Sequence, residues 1–66
     1  MAMAFNNIRV GKRYVLQNYG ETARFQVQEI KENNYLVKDL LTLETYLLSE
    51  LVKYGRGKDY DLYEIS

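Results

Sequence analysis

The chain has 66 residues, of which 47% are hydrophobic and 14% aromatic, and its nine basic and nine acidic residues give a formal net charge of zero. This size predicts one domain near the lower limit of independent folding. The absence of Cys and His excludes disulfides, thiolate metal sites and a histidine general base, so we expect no metal, no cofactor and no catalytic residue.

Residues 1–9 are expected to form an irregular segment or a short edge strand, ahead of one domain at 10–66. No apolar run approaches the roughly 18 residues that a membrane span needs. Met1 to Phe5 is too short for a signal peptide and lacks its layout. The sequence therefore predicts no membrane association and a cytoplasmic location.

The first two strands are predicted at 12–17 and 22–31, joined by a turn at Asn18–Glu21 because Asn and Gly tolerate positive φ. Apolar and polar residues alternate from Ala23 to Val27, as one buried face requires. Ile30 falls out of phase with that set, which predicts a β-bulge near Gln28-Glu29 and an interior position for Ile30.

The remaining elements follow at short intervals. They are a strand at 34–39, a turn at 40–43, a strand at 44–48, a helical turn at 49–51 capped by Ser49, a loop at 55–58 and a last strand at 60–65. Five short strands with one helical turn before the last predict a mostly β fold, a small antiparallel SH3-like barrel.

Four short motifs resemble the Tudor-type branch of SH3-like barrels. They are Val10-Gly11-Lys12-Arg13-Tyr14, Ala23 to Ile30, Tyr35-Leu36-Val37 and Leu48-Ser49-Glu50-Leu51. The resemblance covers about residues 10–52. It implies a binding module, since Tudor-type domains often hold methylated Lys or Arg in an aromatic cage. Carried over by position, Tyr19 is a weak cage candidate, whereas the turn that supplies the family's next ring reads Leu40-Leu41-Thr42 here.

An excess of leucine marks the third and fourth strands. If Tyr35 and Val37 face the interior, Leu36 faces outward, and the same phase turns Leu47 outward. The predicted interface residues are Leu36, Leu40, Leu43 and Leu47. A contiguous apolar patch on so small a protein indicates contact with a protein partner, a second copy or the Met1–Phe5 segment. The alternative is the opposite phase, with these leucines in the core.

The loop Tyr54-Gly55-Arg56-Gly57-Lys58 is basic, glycine-rich and aromatic. Such a loop can hold a phosphate or a stacked base, so Tyr54, Arg56 and Lys58 are candidate nucleic-acid contacts. The alternative is a mobile connector before the last strand. The spacing of a P-loop is absent.

The ends of the chain differ in charge, with Arg9, Lys12 and Arg13 near the start and Asp59, Asp61 and Glu64 near the end. This polarity predicts terminal strands that lie side by side, or alternatively a polar binding surface. The expected function is a non-enzymatic binding module that contacts a protein or another copy through an apolar, Tyr-rich face. The alternative function is a nucleic-acid-binding barrel.

Overall fold

The computed structural model describes residues 3–65, and about half of them form a five-stranded antiparallel sheet. The strands are β1 (Arg13–Asn18), β2 (Glu21–Lys31), β3 (Asn34–Asp39), β4 (Thr45–Leu47) and β5 (Asp61–Ile65), with 3-10 turns at Phe5–Asn7 and Leu48–Val52. The spatial order is β4-β3-β2-β1-β5. The predicted fold class is confirmed, although β4 and β5 remain at opposite edges and no hydrogen bonds between them close the sheet into a barrel.

One face of the sheet, the inner face, carries the core. Tyr14 and Phe25 are fully buried at its centre, with ring centroids 6.0 Å apart. The other members of this buried cluster are Ile8, Leu16, Val27, Val37, Leu48 and Leu62. Val37 and Leu48 are fully buried, so the predicted phase of the third and fourth strands is correct.

The predicted bulge in the second strand is confirmed. The β2–β3 register shifts between Val27 and Glu29, which brings Ile30 opposite Tyr35 on the inner face. The prediction that Ile30 is interior is nevertheless wrong, because its side chain is 52% exposed. Alternation predicts on which face of the sheet a residue lies, but it does not predict how far the core extends. Ile30 lies on the part of β2 that is beyond the core.

The N-terminal segment contributes to the core. It forms a 3-10 turn at Phe5–Asn7 rather than an edge strand, and Ile8 is 1% exposed within the buried cluster. The Met3 N–H donates to Leu62 O on β5 at 3.0 Å, and the Phe5 ring meets Tyr35 edge to face. Met3 and Phe5 thus pack against the core, while the first two residues of that predicted segment lie outside the described chain.

The prediction that Ser49 caps a helical turn is wrong. The 3-10 turn begins at Leu48, which places Ser49 inside it, and no side chain caps its first residues. The Ser49 hydroxyl instead accepts a hydrogen bond from Asn34 Nδ2 at 2.8 Å, linking the turn to β3.

Strands β1 and β5 pair along their length, with Gln17 opposite Asp61 and Arg13 opposite Ile65. The terminal strands therefore lie side by side, as the charge polarity predicted. No helix within residues 3–65 is long and apolar enough to cross a membrane.

Two tyrosine hydroxyls, of Tyr14 and Tyr46, differ in whether they have a hydrogen-bond partner, and this difference can be tested by measuring stability. The Tyr14 hydroxyl accepts a hydrogen bond from the Arg9 N–H at 2.8 Å, whereas the buried Tyr46 hydroxyl has no partner within the described chain. Burial, reinforced by the Asp39 charge, raises the pKa of Tyr46 to about 12. We expect Tyr46→Phe to leave the free energy of unfolding unchanged or raise it by up to about 1 kcal/mol, because an unpaired hydroxyl is removed.

Tyr14→Phe is the matched variant and should lower the free energy of unfolding by about 1–2 kcal/mol, because it leaves the Arg9 N–H without its acceptor. Urea unfolding followed by circular dichroism measures both changes. Equal losses in the two variants would show that the Tyr46 hydroxyl does have a partner.

Candidate functional site

The end of β1 holds the glycine-rich loop in place. Asn18 is the last residue of β1, and only 6% of it is exposed. Its Nδ2 donates to Leu51 O at 3.1 Å and to Gly55 O at 3.0 Å, while its Oδ1 accepts from Gly57 N at 2.7 Å. One buried amide therefore holds the backbone of the loop at Gly55 and at Gly57.

Tyr19, the cage candidate, packs on this same loop. Its backbone has a positive φ of 50°, and its hydroxyl donates to Tyr54 O at 3.1 Å. A Cβ placed on Gly57 would approach the Tyr19 ring to 3.0 Å, so a larger residue there would force the ring to shift by a few tenths of an ångström. One side of the ring thus lies against the loop, while the residue as a whole remains 59% exposed.

Asp59 closes the other side of the turn. Its carboxylate accepts hydrogen bonds from Tyr19 N and Gly20 N, each at 2.8 Å. These bonds, that from Gly20 foremost, hold the pKa of Asp59 below its ordinary value of 3.8. Asp59 is a structural acceptor for a turn that contains two successive positive φ angles.

This arrangement predicts a pH dependence of stability. Because the pKa of Asp59 is lower in the folded chain, its contribution is present above pH 3.8 and is lost as the pH falls through the folded pKa. We expect Asp59→Asn to melt at a lower temperature than the wild type at pH 6 and the difference to narrow below pH 3.8. Thermal melts between pH 2 and 7 measure it, with Glu32→Gln as the control for losing one exposed negative charge.

Two of the candidate nucleic-acid residues, Tyr54 and Arg56, make cation–π contacts within the chain. The Arg56 guanidinium lies over the Tyr60 ring at 4.7 Å and the Phe5 ring at 5.3 Å. The Lys53 ammonium lies over the Tyr54 ring at 5.2 Å, and Lys58 is exposed. Arg56 therefore joins the N-terminal segment to the chain just before β5 by cation–π contacts.

Sequence reasoning missed an open groove of about 770 Å³ between the β1–β2 turn and the Leu48–Val52 turn. Leu16, Ala23 and Leu51 contribute apolar surface, and Tyr19 and Tyr54 line it as well. The Lys53–Glu50 ion pair, 3.5 Å long, involves two further lining residues. Only the Tyr residues signalled this groove in the sequence, because its two walls lie 27 to 38 positions apart along the chain.

The candidate interface leucines fall into two groups. Leu36 and Leu47 lie directly opposite each other on β3 and β4 and face the outer side of the sheet. Leu40 and Leu43 belong to the turn at the other end of this hairpin, where Leu41 is 90% exposed and Leu43 63%. The row of Lys38 and Thr45 separates the two groups. We call these five leucines and the hairpin that carries them the leucine hairpin.

The turn of the leucine hairpin is held by Asp39. Its Oδ1 accepts from Leu41 N at 2.8 Å and from Thr42 N at 2.9 Å. These bonds, with Thr42 the larger contributor, lower the pKa of Asp39, so the carboxylate stays ionised as a turn acceptor. Leu43 follows with a positive φ of 65°.

The described residues bring together no group of three His, Cys, Asp or Glu side chains that could hold a metal ion. Comparison with family models, with curated proteins and with solved structures finds no match to this chain.

Proposed function

We propose that this chain is a non-enzymatic protein-interaction module of the SH3-like, Tudor-type class, that the leucine hairpin is its contact surface, and that the partner is a second copy of the chain. The observation that carries the proposal is the opposed pair Leu36 and Leu47 on the outer face, together with the exposed leucines of the adjoining turn. We expect it to act in the cytoplasm.

The conformation of Leu43 supports a contact role for this turn. A left-handed backbone costs a leucine roughly 1–2 kcal/mol more than it costs glycine. The Leu43 side chain is 63% exposed and recovers little of this by burial within one chain. Strain of this kind at an exposed apolar position is a feature of contact sites.

A second copy suits this surface for two reasons. The formal net charge is zero, so two chains approach without long-range repulsion. A chain of 66 residues has a small core, and burying the leucine hairpin in a dimer would add apolar burial that one chain lacks. The hairpin also ends the sheet, because β4 is an edge strand.

The nucleic-acid alternative through Tyr54, Arg56 and Lys58 has less support. Arg56 is held between Phe5 and Tyr60, and the hydrogen bonds of Asn18 fix the loop backbone. These contacts favour the connector interpretation of the loop.

Sedimentation equilibrium from about 10 µM to 1 mM tests the proposal. The apparent mass of the wild type should rise with concentration from 7.8 kDa toward twice that value. Leu36→Ser combined with Leu47→Ser should keep the mass at one chain. The control, Val10→Ser with Ile30→Ser, removes two apolar side chains that are each 52% exposed elsewhere and should associate like the wild type. A wild type that stays at one chain mass throughout would overturn self-association.

A further inference from the structure

The outer face of the sheet gathers basic side chains whose positions follow from the strand register. Arg13 on β1 and Lys38 on β3 both lie opposite Gln26 on β2. Arg24 is two residues from Gln26 on β2 and shares its face. Directly opposed Cβ atoms lie about 5 Å apart and diagonal neighbours about 7–8 Å apart. Three cations therefore occupy one patch that spans three strands.

An aromatic ring borders this patch. Val15 lies between Arg24 on one side and Tyr63 of β5 on the other. Val15 belongs to the outer face, yet it is only 3% exposed and is not part of the buried cluster. We infer that the Tyr63 ring and the aliphatic stem of Arg24 lean over it, as long amphipathic side chains do on apolar surface. Tyr63 nevertheless remains 45% exposed.

The charges of the patch are not paired within the described chain. The two ion pairs of residues 3–65 are Lys31–Glu29 and Lys53–Glu50. Asp61 is the nearest acidic position of β5 on this face, two residues from Tyr63 and opposite Gln17. Arg24 lies diagonal to both Arg13 and Lys38, so the three positive charges add to one local potential that attracts an anionic ligand.

We propose that this face binds single-stranded nucleic acid, with Arg13, Arg24 and Lys38 contacting phosphates and Tyr63 stacking on a base. A row of cations alone would suit any polyanion. The Tyr63 ring, which is 45% exposed and is separated from Arg24 by Val15, favours nucleic acid over an acidic peptide, because every base offers a face on which an aromatic ring can stack. The proposal does not depend on self-association through the leucine hairpin.

Fluorescence anisotropy with a labelled twelve-residue oligothymidylate at 20 mM NaCl tests the proposal on the full chain. Three phosphate contacts predict a log–log salt slope of about 2, so raising NaCl to 150 mM should weaken binding roughly 50- to 100-fold. The triple variant Arg13→Gln, Arg24→Gln, Lys38→Gln should abolish measurable binding. Tyr63→Leu keeps an apolar cover over Val15 and should weaken binding at least about 5-fold through lost stacking.

The matched control is Lys31→Gln, Lys53→Gln, Lys58→Gln, which removes the same net charge. Two of these lysines are already ion-paired and the third lies in the glycine-rich loop, so this variant should bind within about 3-fold of the wild type. Equal losses in the two triple variants would overturn the proposed face. No binding at 20 mM NaCl would also overturn it. A third contrary outcome has two parts: polyglutamate competes as effectively as unlabelled oligothymidylate, and Tyr63→Leu binds with unchanged affinity. That outcome would identify an acidic peptide ligand.

Discussion

Asn18→Ala should lower the free energy of unfolding by about 2–4 kcal/mol, a large share of the stability of so small a domain. The substitution leaves Leu51 O, Gly55 O and Gly57 N without their partner, and it does so at a side chain of which only 6% is exposed. For a chain of this length the loss corresponds to a melting temperature lower by roughly 10–30 °C. Thermal and urea unfolding monitored by circular dichroism measure it.

Two variants show whether the loss comes from the loop. Asn34→Ala removes an amide whose hydrogen bonds to Ser49 are exposed, and it should cost less than about 1 kcal/mol. Asn18→Asp keeps the acceptor for Gly57 N but turns a carboxylate toward two carbonyl oxygens, and it should be at least as destabilising as Asn18→Ala. If Asn18→Ala and Asn34→Ala cost the same, the loop does not depend on the buried amide. Amide exchange at Gly57 should accelerate in Asn18→Ala, even where global unfolding is corrected for.

The hydrogen bonds of the Asn18 amide could not be predicted from the sequence. Asn18 was expected to be a turn residue with positive φ, but the positive φ angles belong to Tyr19 and Gly20, and Asn18 ends a strand. Its partners lie 33 to 39 positions away along the chain. Local propensity carries no information on a hydrogen bond of that separation. The sequence therefore predicted a flexible loop where the structure has a fixed one.

The alternation of polar and apolar residues predicted the structure more accurately than local turn propensity did. Polar and apolar residues from Ala23 to Val27 predicted one buried face, and the phase break at Ile30 predicted the bulge that the register shows. The same rule could not give the extent of the core, so Ile30 was wrongly placed inside. For the leucines it gave the correct outward face at Leu36. The predicted turn at 40–43 placed Leu40 and Leu43 correctly between the two strands, but the geometry of that turn depends on Asp39, which alternation does not predict.

The basic patch on the outer face could also not be predicted without knowing how the strands pair. Arg13, Arg24 and Lys38 are separated by 11 and 14 positions in the sequence and become neighbours only through the β1–β2 and β2–β3 registers. A two-residue change of either register would leave each side chain on the same face but change the spacing of the three cations. The patch is thus a product of the turn at Tyr19-Gly20 and of the bulge after Val27, both of which fix register.

Leu48→Ala should lower the free energy of unfolding by about 2–5 kcal/mol, whereas the same change at the next residue, Leu47→Ala, should cost less than about 1 kcal/mol. Leu48 is the first residue of the 3-10 turn that follows β4, and it is fully buried in the core cluster. Truncation leaves a cavity there. Leu47 faces outward opposite Leu36 and is 37% exposed, so truncation removes less burial than at Leu48 and leaves no enclosed cavity in one chain. Urea unfolding at about 5 µM, where association is weak, measures both.

The variants Leu47→Ala and Leu48→Ala also distinguish an effect on folding from an effect on the association of two chains. If the leucine hairpin joins two copies, Leu47→Ala should lower the apparent association constant at high concentration although it hardly changes stability at low concentration. Leu48→Ala should do the reverse, reducing stability at every concentration without a specific effect on the mass of the molecules that remain folded. A large stability loss from Leu47→Ala at 5 µM would show that this side chain belongs to the core of one chain. The outward phase of β4, and with it the proposed contact surface, would then be wrong.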